Sequence, residues 1–552
     1  MLQYTRILIV VPLILLASCA RQQPGVVSAA APAAAEAGWD MLLAGGNAAD
    51  AAVAAAFTLG VAEPAGSGIG GQSVVLLQRP GELPIVLDGS SSAPRQLPSE
   101  VISAGAGAAD ASAETGLSEI GISAARDPFA GRRGTTVPTT VRTLHALWRD
   151  YGSGELSWQD VLAPAIRAAE EGVRFGPFAR SALRSSREHL LKDSLARTVF
   201  LPGGHIPAVD RIVRQPQLAR TLRRIAADPE SFYTGEIADE IVADMRRHGG
   251  WLKAEDLASV EDPIERKPLH VRYHGKDIYS VPPPYGGWVV LQALALLDGE
   301  EQTGGAGGSD ALIEALTAAH RSRREYPVRA LRGEDSTAAG HLTPQRIRAL
   351  RRDAPGSGET THLSVADADG MVVGISQSVN YYFGAKVMHP TLGFFYNDYM
   401  REFVRDDARH PYALKPDALP YSSMSPTVVT ENASPLLMLG SPGSARIISA
   451  VVQVIRATIG EGADLADAVS RPRLHVIPDS AVFFEDAGHR DAWIHRGGAN
   501  GKAGDPPSDV SIRGRNPWFG GVHAVMRTEE GWIGAADPRR DGAVRPDSRS
   551  AR

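Results

Sequence analysis

Two alternating runs, THLSVAD (361–367) and MVVGISQSVN (371–380), flank the tripeptide Ala-Asp-Gly. Period-two alternation is the mark of a strand, and a three-residue loop ending in Gly suits a type I turn closed by a left-handed residue. The spacing therefore predicts a hairpin in which Val365 faces Val373, Leu363 faces Ile375 and Thr360 faces Ser378. Leu363, Val365, Val373 and Ile375 then share an apolar face. Thr360, His362, Ser376, Ser378 and Asn380 share the other. Polar alternation of this kind ordinarily marks a solvated strand face. A slip of one residue would exchange the two faces.

The polar face begins with Thr360, Thr361 and His362, and a threonine nucleophile needs a base. His362 is the obvious candidate, yet two positions along one strand put it about 6–7 Å from Thr360, beyond hydrogen-bond reach. Another base exists only if Thr360 is the first residue of a chain. Its α-amino group, with a pKa of about 8, then lies beside its own hydroxyl. That arrangement requires the Glu359–Thr360 bond to be cut. Thr361 is expected on the opposite face, in packing or local hydrogen bonding.

Elsewhere the pattern is of helices flanking sheets, with strand-rich pieces at each end and no internal repeat. A helix is expected to run through Leu43. After Gly45-Gly46, Asn47 is placed to cap a second helix, AADAAVAAAFTLG, whose small apolar residues mark it as buried and which should stop at Gly60. The glycine loop GSGIGG (66–71) leads into a strand, QSVVLLQ. Residues 101–120 read as an exposed loop, 139–247 as mostly helical, and HVRYHGKDIYSVPPP as a hairpin running into a Pro-rich turn. A helix is expected over 288–297, a loop over 304–310, and a charged helical stretch over 321–352 broken at Pro327. Helices return around 446–470.

The chain has 552 residues, 43% hydrophobic and 22% charged, the make-up of a soluble globular protein. A net charge of -6 sets nucleic acid aside as a partner. The 15 His form no ligand-spaced cluster, so no metal is expected. GSGIGG lacks the Lys and Ser/Thr of a phosphate loop, so no nucleotide cofactor is expected either. The N-terminus is a separate matter. An Arg and an apolar run lead to Leu16-Ala17-Ser18-Cys19, and Cys19 is the only cysteine. This reads as a bacterial lipoprotein signal over 1–18, with Cys19 lipidated and residues 20–36 serving as a tether. Ala20 in place of Asp points to the outer membrane, facing the periplasm.

GGNAADAAVAAAFTLGVAEPAGSGIGG, FYTGEIADEIVADMRRHGGWLKAEDLASV and YSVPPPYGGWVVLQAL precede the hairpin. TTHLSVADADG, SVNYYFG, GFFYND, YSSMSPT, GSPGSARI and GAADPRRDG follow in order. Together they resemble the gamma-glutamyltransferase family of N-terminal nucleophile hydrolases, over about two-thirds of the chain. The resemblance implies an α+β fold of four αββα layers. It also implies self-cleavage before Thr360, giving a large subunit (37–359) and a small one (360–552) that stay paired. Thr360 would attack a γ-glutamyl amide such as glutathione, form an acyl-enzyme and pass the acyl group to water or an amine.

Residue by residue, Ser378 takes the place of a threonine supporting the nucleophile, and Gly443 and Ser444 supply the oxyanion-hole N–H groups. Ser422 and Ser423 match the pair that binds the substrate's α-carboxylate. Asn380 matches a contact to its α-amino group. Three departures stand out. Ser90 occupies the place of an Arg that pairs with that carboxylate, with Arg95 five residues on as an alternative. Tyr399 replaces a glutamine, and Glu402 replaces an aspartate at the α-ammonium. The short segment between Phe403 and Tyr421 implies that a lid is missing. The resemblance thus keeps the nucleophilic machinery and alters glutamate recognition. This leaves open another acyl or amide substrate, such as a β-lactam side chain or a γ-linked peptide. It also leaves open an uncleaved, non-catalytic surface lipoprotein.

Overall fold

The hairpin forms in the expected register: Val365 pairs with Val373, Leu363 with Ile375 and Thr361 with Gln377 across antiparallel strands Thr361–Asp367 and Val372–Ser378. Gly370, at φ +89°, closes the turn in the conformation that favours glycine. The computed structural model describes residues 23–103, 127–209, 211–301, 308–325, 338–343, 360–405, 407–478, 481–495, 508–511 and 515–547.

Neither face of the hairpin is solvated, contrary to what its alternation suggests; every residue of both strands is buried. Leu363, Val365, Val373 and Ile375 pack into one core with the alanine-rich helix Ala48–Ala62. The polar face lies against a second sheet. A Cβ on Gly374 would sit 2.6 Å from Met438 Sδ, and one on Gly440 would sit 2.5 Å from the His362 ring. Glycine at these places lets the two sheets close together over a polar surface.

The first sheet has seven strands in the order Ala543–Arg545, Gly25–Ala29, Thr361–Asp367, Val372–Ser378, Gln72–Gln78, Ile85–Gly89 and Ile264–Arg266. The second has six: Gly531–Ala536, His523–Thr528, Ser434–Gly440, Thr427–Glu431, Lys276–Ser280 and Leu269–Tyr273. Helices Pro32–Leu43, Ala48–Ala62 and Thr140–Tyr151 cover the outer face of the first. Helices Gly287–Glu301 and Arg446–Ile455 cover the second. The result is the four-layer αββα sandwich, with one core under each helical layer and a third between the sheets.

Helix Ala48–Ala62 shows why the layers fit. Its residues are buried all round except at Gly60, so it reads as an interior helix rather than an amphipathic one. Asn47 Oδ1 accepts from the Ala49 and Asp50 N–H groups, and Asp50 Oδ2 accepts from Asn47 N at 3.0 Å, a complete capping box. The helix continues two residues past its expected stop at Gly60. There the missing side chain lets Gly68 approach, a Cβ being only 3.1 Å from its Cα.

The tether expected over 20–36 is corrected. Gly25–Ala29 is a strand within the first sheet, paired to Thr361–Asp367 on one side and Ala543–Arg545 on the other, and a helix starts at Pro32. Gly25 meets the backbone so closely that a Cβ would lie 2.1 Å from Ala366 O. The hairpin over 269–280 and the strand QSVVLLQ form as expected. The loop expected over 304–310 ends early, because helix Gly308–Glu325 begins there. Of the charged stretch 321–352, the end of that helix and Ala338–His341 are helical, while the expected break at Pro327 and most of the loop expected over 101–120 lie outside the described residues.

Replacing Asn47 with Ala removes both cap bonds and the bond from its amide to Tyr151 O. The expected loss is about 1–2 kcal/mol, read as a lower urea midpoint with an unchanged slope.

Candidate active site

Thr360 immediately precedes strand Thr361–Asp367, is 3% exposed, and by the register of the hairpin stands opposite Ser378. Glu359 and Cys19 lie outside the described residues. Thr361 turns the other way, and its hydroxyl donates to Glu63 Oε2 at 2.8 Å while Glu63 pairs with Arg540 at 3.3 Å. The glycine loop wraps this end of the hairpin. A Cβ on Gly71 would sit 2.2 Å from Ser378 O, and one on Gly66 would sit 3.6 Å from Thr360 O.

His362 does not serve Thr360. Its Nδ1 bonds Ser376 Oγ and its Nε2 bonds Ser364 Oγ, each at 2.9 Å. Burial, with a small contribution from His523, holds the imidazole well below its ordinary pKa, so it is neutral and fully engaged.

Around Ser378 the expected substrate residues converge. Asn380 adopts φ +76°, a strained setting for a non-glycine residue, which lets its backbone N–H reach Ser378 Oγ at 2.8 Å. Its side-chain amide donates to Glu402 Oε1 at 3.0 Å. The Tyr399 hydroxyl meets the side chains of Ser378, Gln72 and Ser422. It thus spans from the neighbourhood of Thr360 to the serine pair. Ser422 N donates to Pro284 O, and Ser423 Oγ accepts from Arg323 Nη2 at 2.8 Å. Glu402 is pushed up to about 7 from 4.5, chiefly by burial, with the Asn380 bond opposing and nearby Asp398 adding to the shift.

The GSPGS loop reaches the same end of the hairpin. Met438 lies at Gly374, which pairs with Ser364, and Gly440 lies at His362. Two residues of advance on the second sheet thus match two residues back toward Thr360. Gly443, at φ +119°, and Ser444, at φ +65°, are next in line before helix Arg446–Ile455. Both are in the left-handed region, so Ser444 carries backbone strain of about 1 kcal/mol or more.

Ser90 holds no position for an anion. Its hydroxyl donates to Asp88 Oδ1 at 2.6 Å, and Asp88 is itself paired with Arg266 at 2.7 Å. Arg95 is exposed, and the bond it makes to Asp256 runs from its backbone N–H. The serine pair is served instead by Arg323. This residue, Glu63 and Gln72 were not legible as site residues. Gln72 is tied by Ser91 N and Oγ, each at 2.7 Å, which leaves its amide group for Tyr399.

The family model for gamma-glutamyltranspeptidase matches residues 34–546. The chain belongs to that family. It is 29% identical over 491 residues to a glutathione hydrolase proenzyme of Escherichia coli (strain K12), covering 82% of this chain and 81% of that one. It is 30% identical over 530 residues to the acylase ACY 1 proenzyme of Pseudomonas sp. (strain V22), covering 90% and 92%. The crystal structure of cephalosporin acylase from Bacillus halodurans superposes with a TM-score of 0.82 at 29% identity, covering 95% of this chain and 96% of that one. This is an enzyme with the N-terminal nucleophile hydrolase fold, and its relatives include both glutathione hydrolases and acylases.

The Glu402 shift has a consequence for stability. Between pH 4.5 and about 7 the folded protein keeps a proton on Glu402 that the unfolded chain releases. Stability from this group therefore falls as pH rises through that window. Glu402→Gln stays neutral throughout. Its urea midpoint relative to the natural chain is expected to climb from pH 4.5 to 7 and to level off above, whereas parallel curves would show that Glu402 titrates normally.

Proposed function

We propose that the chain cuts itself before Thr360 and that the freed threonine hydrolyses or transfers γ-glutamyl groups of glutathione-like amides. The observation that carries this reading is a buried Thr360 facing Ser378 while both nitrogens of the neighbouring imidazole are occupied by serines. The new α-amino group is then the base available to the hydroxyl. In the precursor, Thr360 Oγ attacks the carbonyl of Glu359 and the peptide becomes an ester. That step breaks the C–N bond and frees the Thr360 amine, and water then hydrolyses the ester to the Glu359 carboxylate and the free Thr360 hydroxyl.

In the mature enzyme the amine takes the hydroxyl proton as Oγ attacks the amide carbon. The Gly443 and Ser444 N–H groups receive the developing oxyanion. The proton passes to the leaving amine and an acyl-enzyme remains, which water or an acceptor amine resolves. Ser378 supports Thr360, Asn380 and Glu402 take the α-ammonium, and Ser422 and Ser423 take the α-carboxylate. Tyr399 bounds the pocket between them.

Ser90 and Tyr399 favour a second reading, the same chemistry on an acyl group other than γ-glutamyl, and one relative of the chain is named an acylase. Anilides of γ-glutamate, glutarate and 4-aminobutyrate separate the two. Glutaryl lacks the ammonium and 4-aminobutyryl lacks the carboxylate. Preference for γ-glutamyl over both supports the first reading, and equal or better rates on glutaryl support the second.

Purified protein is expected to run as two fragments under denaturing conditions, the smaller beginning TTHLSV. Thr360→Ala is expected to stay uncut and to lose activity by about a thousandfold or more. A natural chain that persists as one band on incubation overturns self-processing. Lipid anchoring through Cys19 on the periplasmic side of the outer membrane belongs to the same proposal. Cys19→Ala is expected to move the protein from the membrane fraction to the soluble one, and unchanged partition overturns it.

A further inference from the structure

Arg323 lies in the last turn of helix Gly308–Glu325 and is 4% exposed. Its Nη2 donates to Ser423 Oγ, and its guanidinium lies over the Tyr421 ring, 3.8 Å from the centroid. Among the described residues, its Nε and Nη1 have no hydrogen-bond partner, and the Tyr421 hydroxyl beside it has none either. Four other buried arginines of the described residues are neutralised. Arg266 pairs with Asp88, Arg473 with Asp537, Arg539 with Glu485 and Asp537, and Arg540 with Glu63. Among the described residues, no carboxylate lies within ion-pair distance of Arg323.

A buried guanidinium with idle donors is costly, and an anion that binds there recovers both the charge and the hydrogen bonds. The position says which anion. From Ser378, the residue facing Thr360, contacts run through the Tyr399 hydroxyl to Ser422, and the next residue, Ser423, holds Arg323. An acyl group whose carbonyl sits at Thr360 would extend its far end along this line. We propose that Arg323 receives the terminal carboxylate of the substrate's acyl group beside Ser423, and that it sets the preference for carboxylate-bearing acyl groups in place of any cation at Ser90. This rests on the reading that Ser422 and Ser423 line the acyl pocket. It does not require that the acyl group be γ-glutamyl.

Burial lowers the Arg323 pKa to about 9, so the guanidinium is still charged at neutral pH. The groups facing it are the Glu402 carboxyl and the Tyr412 hydroxyl, both of which favour its charged form, together with the Tyr421 ring and Ser423.

The test compares two pairs of anilides on the processed enzyme: γ-glutamyl against 4-aminobutyryl, and glutaryl against pentanoyl. In each pair only the first member has the terminal carboxylate. Arg323→Gln is expected to lower kcat/KM about 10- to 100-fold for the carboxylate member, mainly through KM, and to leave the other member unchanged. Arg323→Lys is expected to restore part of the loss. Equal losses on both members, or none on either, overturn the proposal. Should neither variant fold, the natural enzyme still decides. A preference of tenfold or more for glutaryl over pentanoyl supports the proposal, and a smaller one overturns it. Should γ-glutamyl be a poor substrate while glutaryl is a good one, the glutamate reading fails and the Arg323 proposal stands.

Discussion

The antiparallel pairing of Thr361–Asp367 with Val372–Ser378 is the constraint from which the rest follows. It sets Thr360 against Ser378, turns Thr361 toward Glu63, and presents a row of hydroxyls and one imidazole to the second sheet. That polar row is tolerable in the interior because its members satisfy one another and because glycine stands opposite. Larger residues at 374 or 440 would force the sheets apart and take the GSPGS loop with them. Each sheet contains strands from both sides of residue 360. A cut there would leave two chains still held by the hydrogen bonds of two shared sheets.

Charge is distributed unevenly through this interior. Near the C-terminus, Asp537, Arg473, Arg539 and Glu485 form a closed network in which every cation has an anion. Such networks position backbone, here the segment between helix Leu465–Ser470 and strand Gly531–Ala536. At the hairpin the pattern is different. Glu402 is bonded by a neutral amide and Arg323 by a neutral hydroxyl, so the two groups influence each other through the interior without a direct ion pair among the described residues. The protein bears that expense where a ligand of matching charge can relieve it.

Much of the site was legible because period-two alternation dictates register. Thr360, Ser378 and Asn380 follow once the turn at 368–370 is placed. Alternation says nothing of what covers a face, which is why the polar side read as solvated when a second sheet lies on it. Gly25–Ala29 was misread for a related reason. Five small residues show no pattern of their own, and only pairing on both edges makes them a strand. Arg323 sits in HRSRRE, which reads as a charged surface helix. Its burial depends on residues a hundred positions further along the chain, and no local signal reports them.

The first strand also gives the molecule a direction. Gly25 pairs with Asp367, and Ala368 N bonds Pro24 O, at the hairpin tip. Thr360 is at the other end of the same strand, about 23 Å away at the usual rise of ~3.3 Å per residue. The chain therefore enters the fold on the side opposite the threonine. If a surface holds the protein by its N-terminus, the strand sets Thr360 at the end of the sheet away from that surface.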